Sequence, residues 1–243
     1  MEKFTLKEQF IRSAMLLGNI AIEKLNNSKI IVFGVGGVGS FATESLARFG
    51  LERLDICDAD TVSLSNLNRQ LVALSSTVGK KKVDVMKERI LDISPLTKVD
   101  TFDFFYDSTT KDIIDISKYD YVVDAIDSMD SKVLLIKECK NKNVPIISAL
   151  SAGNKIDPTK FEITDIYKTT VCPIAKILRK RLKEENINSL KVVYSKELPI
   201  TPDTSFLKDD GKRTVGSVSF VPSAMGLVLA SGVIRDLIGY TEK

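Results

Sequence analysis

Histidine is absent from all 243 residues, and cysteine occurs only three times. Without histidine there is no Ser-His-Asp or Cys-His machinery and no imidazole metal site. Any metal must be a hard cation on oxygen ligands, with Mg²⁺ on a carboxylate and phosphates as the obvious case. Cys57, Cys139 and Cys172 form no CxxC pair and lie far apart, which argues against a zinc ribbon or a redox dithiol. No uncharged apolar run reaches the roughly 18 residues of a membrane span. The most apolar stretch, Val218 to Ile234, contains Pro222 and several glycines and serines, and reads as a buried core helix. The opening MEKFTLKEQF lacks the basic-then-apolar layout of a signal peptide. A cytoplasmic protein with no membrane partner is expected. The net charge of +3 admits an anionic substrate without requiring one.

What is present reads as one α/β unit. The apolar spacing of Phe10, Ala14, Leu17 and Ala21 predicts a helix over residues 5–25. KIIVF (29–33) is a buried parallel strand, followed by glycines and a helix from Ser40 to Phe49. Strands are predicted at 53–57, 98–104, 121–125 and 144–149, with helices at 80–93, 108–116 and 129–141. This alternation implies a Rossmann-like, mostly parallel sheet flanked by helices. Beyond residue 150 the rhythm changes to a strand at 161–166, a basic helix at 173–185, a strand at 191–195 and a final helix from about Pro222 to Ile238. The expectation is a nucleotide-binding core over 1–150 and a substrate-side extension over 151–243. Residues 196–217, rich in proline, glycine and aspartate, are expected to form a long mobile loop, and loops of this length tend to be functional.

The glycines at 34, 36, 37 and 39 stand directly after a strand and before a helix, the setting of a dinucleotide fingerprint. Gly34 allows a tight turn, Gly36 and Gly37 admit a phosphate group, and Gly39 lets helix and strand pack closely. Asp58, ending the second strand, stands where a ribose carboxylate belongs. Alone, this pattern fits NAD or FAD as well as ATP. The next segment, DADTVSLSNLNRQ (58–70), supplies Asn66 and Asn68 as amide donors and Arg69 as a planar phosphate ligand. Lys82, at a helix start, can place a point charge on a phosphate. DAIDS (124–128) puts Asp127 at the carboxyl edge of the sheet, where open α/β sheets bind ligands. Each residue has a plainer reading: Arg69 in a surface salt bridge, lysines 80–82 as a solvated helix start, Asp127 as an N-cap. Their order along one chain favours a triphosphate site.

The run GVGGVGS, then DxDxVxxSNLNRQ, VGxxKxxVM and DAIDS, resembles the ThiF/MoeB/HesA family, relatives of the adenylation domains of ubiquitin-activating enzymes. The resemblance implies ATP and Mg²⁺ as cofactors. It makes Arg69, Lys82 and Asp127 catalytic, with Asp127 the metal ligand. It places Gly34, Gly36, Gly37, Gly39, Asp58, Asp60, Asn66, Asn68, Gln70 and Ser128 at the nucleotide. In such homodimers an N-terminal arginine reaches the partner's ATP site, and FIRSAMLLG (10–18) makes Arg12 the matching residue.

The downstream stretch SAGNKIDPTKFEITDIYKTTVCPIAKILRKRLK (151–183) is similar to the bacterial tRNA threonylcarbamoyladenosine dehydratases, differing at Asn154, where they carry glycine, and at Cys172, where they carry aspartate. That subfamily adenylates the carboxylate of threonylcarbamoyladenosine (t6A) on tRNA, and the neighbouring carbamoyl group then closes a ring and expels AMP. A tRNA partner implies a basic approach surface, with Lys176, Arg179, Lys180, Arg181 and Lys183 on one helix and Lys208, Lys212 and Arg213 in the long loop as candidates. Cys172 before Pro173 at a helix start is a candidate acyl acceptor, against the simpler reading of an unreactive loop cysteine. Three alternatives stay open: activation of a sulfur-carrier protein's C-terminus, an NAD-dependent oxidoreductase, and a non-catalytic nucleotide-binding scaffold.

Overall fold

The structure, a computed structural model, describes residues 6–203, 205 and 215–241. Lys208, Lys212 and Arg213 lie outside the described residues.

Two short helices, α1 (Leu6–Leu17) and α2 (Asn19–Asn26), replace the single helix expected over 5–25. Gly18 between them has φ +83, a left-handed backbone that ends one helix and redirects the chain. The next elements are β1 (Lys29–Phe33), α3 (Gly39–Ala47), β2 (Arg53–Cys57) and α4 (Lys82–Ile93). They are followed by β3 (Thr101–Phe102), β4 (Tyr121–Asp124), α5 (Met129–Asn141) and β5 (Ile146–Ala149). The chain ends with β6 (Phe161–Asp165), α6 (Pro173–Glu184), β7 (Lys191–Ser195) and α7 (Phe220–Ile238).

The strands form one sheet in the order β3-β2-β1-β4-β5-β7-β6. All neighbours are parallel except β6, which runs antiparallel to β7. The central strands carry β-branched residues with almost no polar alternation, because helices cover both faces. Successive β4 side chains point to opposite faces. The Tyr121 hydroxyl donates to Asp236 of α7 at 2.6 Å, whereas Asp124 faces Lys132 of α5. So α7, packed on α3, covers one face, and α5, packed on α6, covers the other.

Two expectations shrink. The strand at 98–104 is reduced to Thr101–Phe102, with one further bridge from Lys98 to Arg53, and from Phe104 onward the chain turns into the wall of a cavity. The helix at 108–116 becomes two 3₁₀ turns, Lys111–Ile113 and Ile116–Lys118. Asp107 and Asp115 there accept N–H groups two residues on, competing with helix formation. α7, with a mean hydropathy of 1.5 over 19 residues, has the length and composition of a span. Val221, Met225, Leu229, Ala230 and Val233 on it are buried in the core, as the sequence suggests. Proline sits in its first turn, where the missing N–H costs nothing.

Candidate active site

The loops leaving the carboxyl ends of β1, β2, β4 and β5 enclose a cavity of about 560 Å³. Strand order gives it two ends: Asp58 and Phe104 to Tyr106 on the β2 side, and Ala149 to Gly153 with Ile174 and Val215 on the β5 side. The glycine turn lies between them.

The turn has room for nothing larger. Gly34 has φ +89, and a Cβ there would stand 2.6 Å from the Ala125 carbonyl oxygen. A Cβ on Gly39 would meet the Gly34 carbonyl oxygen at 1.8 Å. Gly39 therefore shapes the turn from beneath and does not line the cavity. Gly36 and Gly37 do line it, at the start of α3, where free N–H groups favour an anion.

Asp58 accepts the Val35 N–H at 2.6 Å and the Asp60 N–H at 2.8 Å, tying the glycine turn to the end of β2. Burial pushes its carboxyl above the ordinary range, while Lys82 and these two N–H groups pull the other way. Of the three successive lysines, Lys80 and Lys81 are exposed and Lys81 pairs with Asp103, as the solvated reading has it. Lys82 is 4% exposed and lies on the cavity wall, donating to Asp60 at 2.6 Å.

Arg69 is half-buried and has no carboxylate within salt-bridge distance among the described residues; its guanidinium donates to the Ser65 carbonyl and to Asn68 Oδ1, both at 2.8 Å. The surface salt-bridge reading is thereby removed. Asn68 stands behind Arg69, off the cavity wall. The Asn66 Oδ1 accepts the Ser63 N–H at 3.1 Å, which leaves its amide N–H groups for a ligand. Asp127 is exposed on the cavity wall, and no described residue bonds to its carboxylate. It is not the N-cap of α5; Ser128 holds that position, without a side-chain cap bond and away from the cavity.

Gly34, Gly36, Gly37, Asp58, Asp60, Asn66, Arg69, Gln70, Lys82 and Asp127 thus share one cavity. Gly39, Asn68 and Ser128 do not line it, and neither does Arg12, which is exposed on α1. Three buried polar atoms on its wall, Gln70 Oε1, Tyr106 Oη and Ser131 Oγ, have no partner among the described residues. Buried polar atoms are almost always satisfied, so these mark a place built for a polar ligand. No cluster of three metal-ligating side chains exists among the described residues. A carboxylate without a partner among the described residues, on the same cavity wall as Arg69 and Lys82, fits Mg²⁺, which usually takes one or two carboxylates together with phosphate oxygens.

Sequence reasoning missed Lys132 and Asp124. Lys132 is 2% exposed, lines the cavity, and donates to Asp124 at 2.6 Å and to the Ala149 carbonyl at 3.1 Å. Its signal was there: Lys132 shares the helical stripe of Leu135, Ile136 and Cys139, where a lysine is out of place. Cys172 is buried at the N-cap of α6 and does not line the cavity. Burial pushes the Cys57 thiol up to about 12 and raises that of Cys139 as well. Both are core residues. On α6, Arg179 turns inward to the Thr169 carbonyl at 3.1 Å and Arg181 pairs with Asp130, leaving Lys176, Lys180 and Lys183 as the exposed cations.

The profile of the ThiF family matches residues 10–243. The tRNA threonylcarbamoyladenosine dehydratase of Bacillus subtilis is 43% identical over 240 residues, covering 95% of this chain and 94% of that protein. The structure of the Escherichia coli tRNA N6-threonylcarbamoyladenosine dehydratase in complex with AMP superposes with a TM-score of 0.88 at 33% identity, covering 98% of this chain and 97% of the other. The same enzyme in complex with ATP gives 0.86 at 32% identity, with the same coverage of both chains.

Proposed function

We propose, since this chain belongs to the ThiF family, that it is an ATP-dependent tRNA threonylcarbamoyladenosine dehydratase. One observation carries the reading: Arg69, Lys82 and Asp127 reach a single cavity beside the glycine turn at the carboxyl edge of the sheet.

A carboxylate cannot expel oxide, so its oxygen must first be made a leaving group. The t6A carboxylate attacks the α-phosphorus of ATP, forming a P–O bond as the bond to pyrophosphate breaks. No general base is needed, because a carboxylate is already ionised at neutral pH. The work left to the protein is positioning and charge neutralisation. Gly36, Gly37 and Asn66 offer N–H donors, Arg69 and Lys82 supply fixed positive charge, and Asp58 accepts the ribose hydroxyls. Asp127 is the carboxylate that would hold Mg²⁺, which supplies further screening of phosphate charge when bound. The carbamoyl group then attacks the acyl carbon, loses a proton and expels AMP. Net loss of one water is coupled to cleavage of ATP to AMP and pyrophosphate.

The subunit acts as a homodimer in this reading. Met15, Leu16 and Ile20 on α1 and α2 are 80%, 87% and 86% exposed, beside an apolar groove lined by Leu17, Phe49 and Leu227. A second copy covering this face buries that surface and carries Arg12 toward the neighbouring site. Lys176, Lys180 and Lys183 are the cations offered to tRNA phosphates.

The test is direct. Purified protein with ATP, Mg²⁺ and t6A-bearing tRNA is expected to release AMP and pyrophosphate and to yield a nucleoside lighter by one water. AMP release that requires a sulfur-carrier protein instead of the tRNA would overturn the assignment.

A further inference from the structure

Three stretches remote in sequence meet at Asn154. Its backbone is left-handed, with φ +58, a conformation that asparagine tolerates better than most side chains. Its N–H donates to the Gly216 carbonyl at 2.8 Å, and its Oδ1 accepts the Gly216 N–H at 2.7 Å, so both polar groups of Gly216 end on one residue. Its own carbonyl accepts the Ile200 N–H at 2.8 Å. The flanking residues tighten the joint. A Cβ on Gly153 would meet Val215 Cγ1 at 2.1 Å, and the buried Lys155 ammonium donates to the Gly153 carbonyl at 3.2 Å.

Residues 215–217 are also held on the other side, where Asn68 Nδ2 donates to the Ser217 carbonyl at 3.1 Å. Val215 and Ser217 line the cavity, and Asn154 does not. The short segment is therefore a strap, tied to the phosphate loop through Asn68 and to the turn after β5 through Asn154.

We propose that Asn154 is a positioning residue for the tRNA substrate: its side chain brackets Gly216 and so fixes the strap as the wall against which the substrate carboxylate is presented. This rests on the dehydratase reading above. Glycine in its place keeps the backbone conformation and loses the Oδ1 acceptor. Aspartate keeps both.

The test compares full-length wild type, Asn154→Gly and Asn154→Asp, with ATP, Mg²⁺ and t6A-bearing tRNA, alongside AMP binding and amide exchange at Gly216. Loss of one neutral hydrogen bond corresponds to about three- to tenfold. Asn154→Gly is expected to raise KM for tRNA by that factor, to leave kcat and AMP affinity within about twofold, and to speed exchange at Gly216. Asn154→Asp is expected to restore the wild-type KM. An active wild type with unchanged KM and Gly216 exchange in Asn154→Gly overturns the inference alone. Equal losses of kcat and AMP affinity in both variants overturn it too, because they mark a general structural role. A wild type that leaves t6A uncyclised overturns the dehydratase reading and this inference with it.

Discussion

Lys132 and Asp124 form an ion pair of 2.6 Å that is sealed from solvent, the two residues being 2% and 0% exposed. Asp124 also accepts the Ile126 N–H at 3.0 Å, and Lys132 also holds the Ala149 carbonyl. One pair thus joins the turn that carries Asp127 to the end of β5. Removing one partner strands a buried charge, so Lys132→Met is expected to cost about 3–5 kcal/mol. The double variant Asp124→Leu/Lys132→Met is expected to cost less, since nothing charged is left behind. Urea denaturation of both variants checks this, and a single variant no worse than the double refutes it.

Arg69 and Lys82 meet the α-phosphate in the proposed chemistry, where charge develops. Arg69→Ala and Lys82→Ala are each expected to lower kcat for AMP release by about 10²–10³-fold, with a smaller effect on KM for ATP. Losses confined to KM mean that these residues only bind nucleotide.

Arg12 lies outside its own cavity, and in the proposed homodimer it serves the site of the other copy. Arg12→Ala and Lys82→Ala, each inactive alone, are expected to recover activity when mixed. In the proposed homodimer half of the pairs are then mixed, and each holds one intact site, giving about one quarter of wild-type activity. No recovery places Arg12 in cis or outside the chemistry.

Burial raises the pKa of Asp58, so it takes up a proton at higher pH than an exposed aspartate. The ionised form accepts the Val35 and Asp60 N–H groups and, in the proposed site, the ribose hydroxyls. Protonation turns one of the two oxygens into a donor and leaves the other a weaker acceptor. The KM for ATP is therefore expected to rise as pH falls, starting above the ordinary carboxylate range, and Asp58→Asn is expected to flatten the profile. A wild-type profile as flat as that of the variant rules Asp58 out.

Much of this was legible in the sequence. β1, the glycine turn and α5 announce themselves because one local rule fixes each: a β-branched run, a left-handed glycine, an apolar stripe. That Arg69, Lys82 and Asp127 share one cavity was legible because the Asn-rich loop, the lysine-marked helix start and the end of β4 each carry a local signal. Lys132 and Asn154 were not, because their meaning depends on partners reached only in three dimensions. Asn68 and Ser128 have the right chemistry at the right distance in sequence, yet backbone direction turns them away from the cavity. β3 fell short because the chain leaves β2 after Phe102, and from Phe104 onward it is drawn into the cavity wall.

The β6–β7 pair enters the sheet through β5 alone, so the five strands that cradle nucleotide owe it no register. Beyond that one seam, side chains do the fastening, Asn68 on Ser217, Arg181 on Asp130 and Lys137 on Glu185, so a substitution at any of them loosens the far side of the cavity without touching a strand.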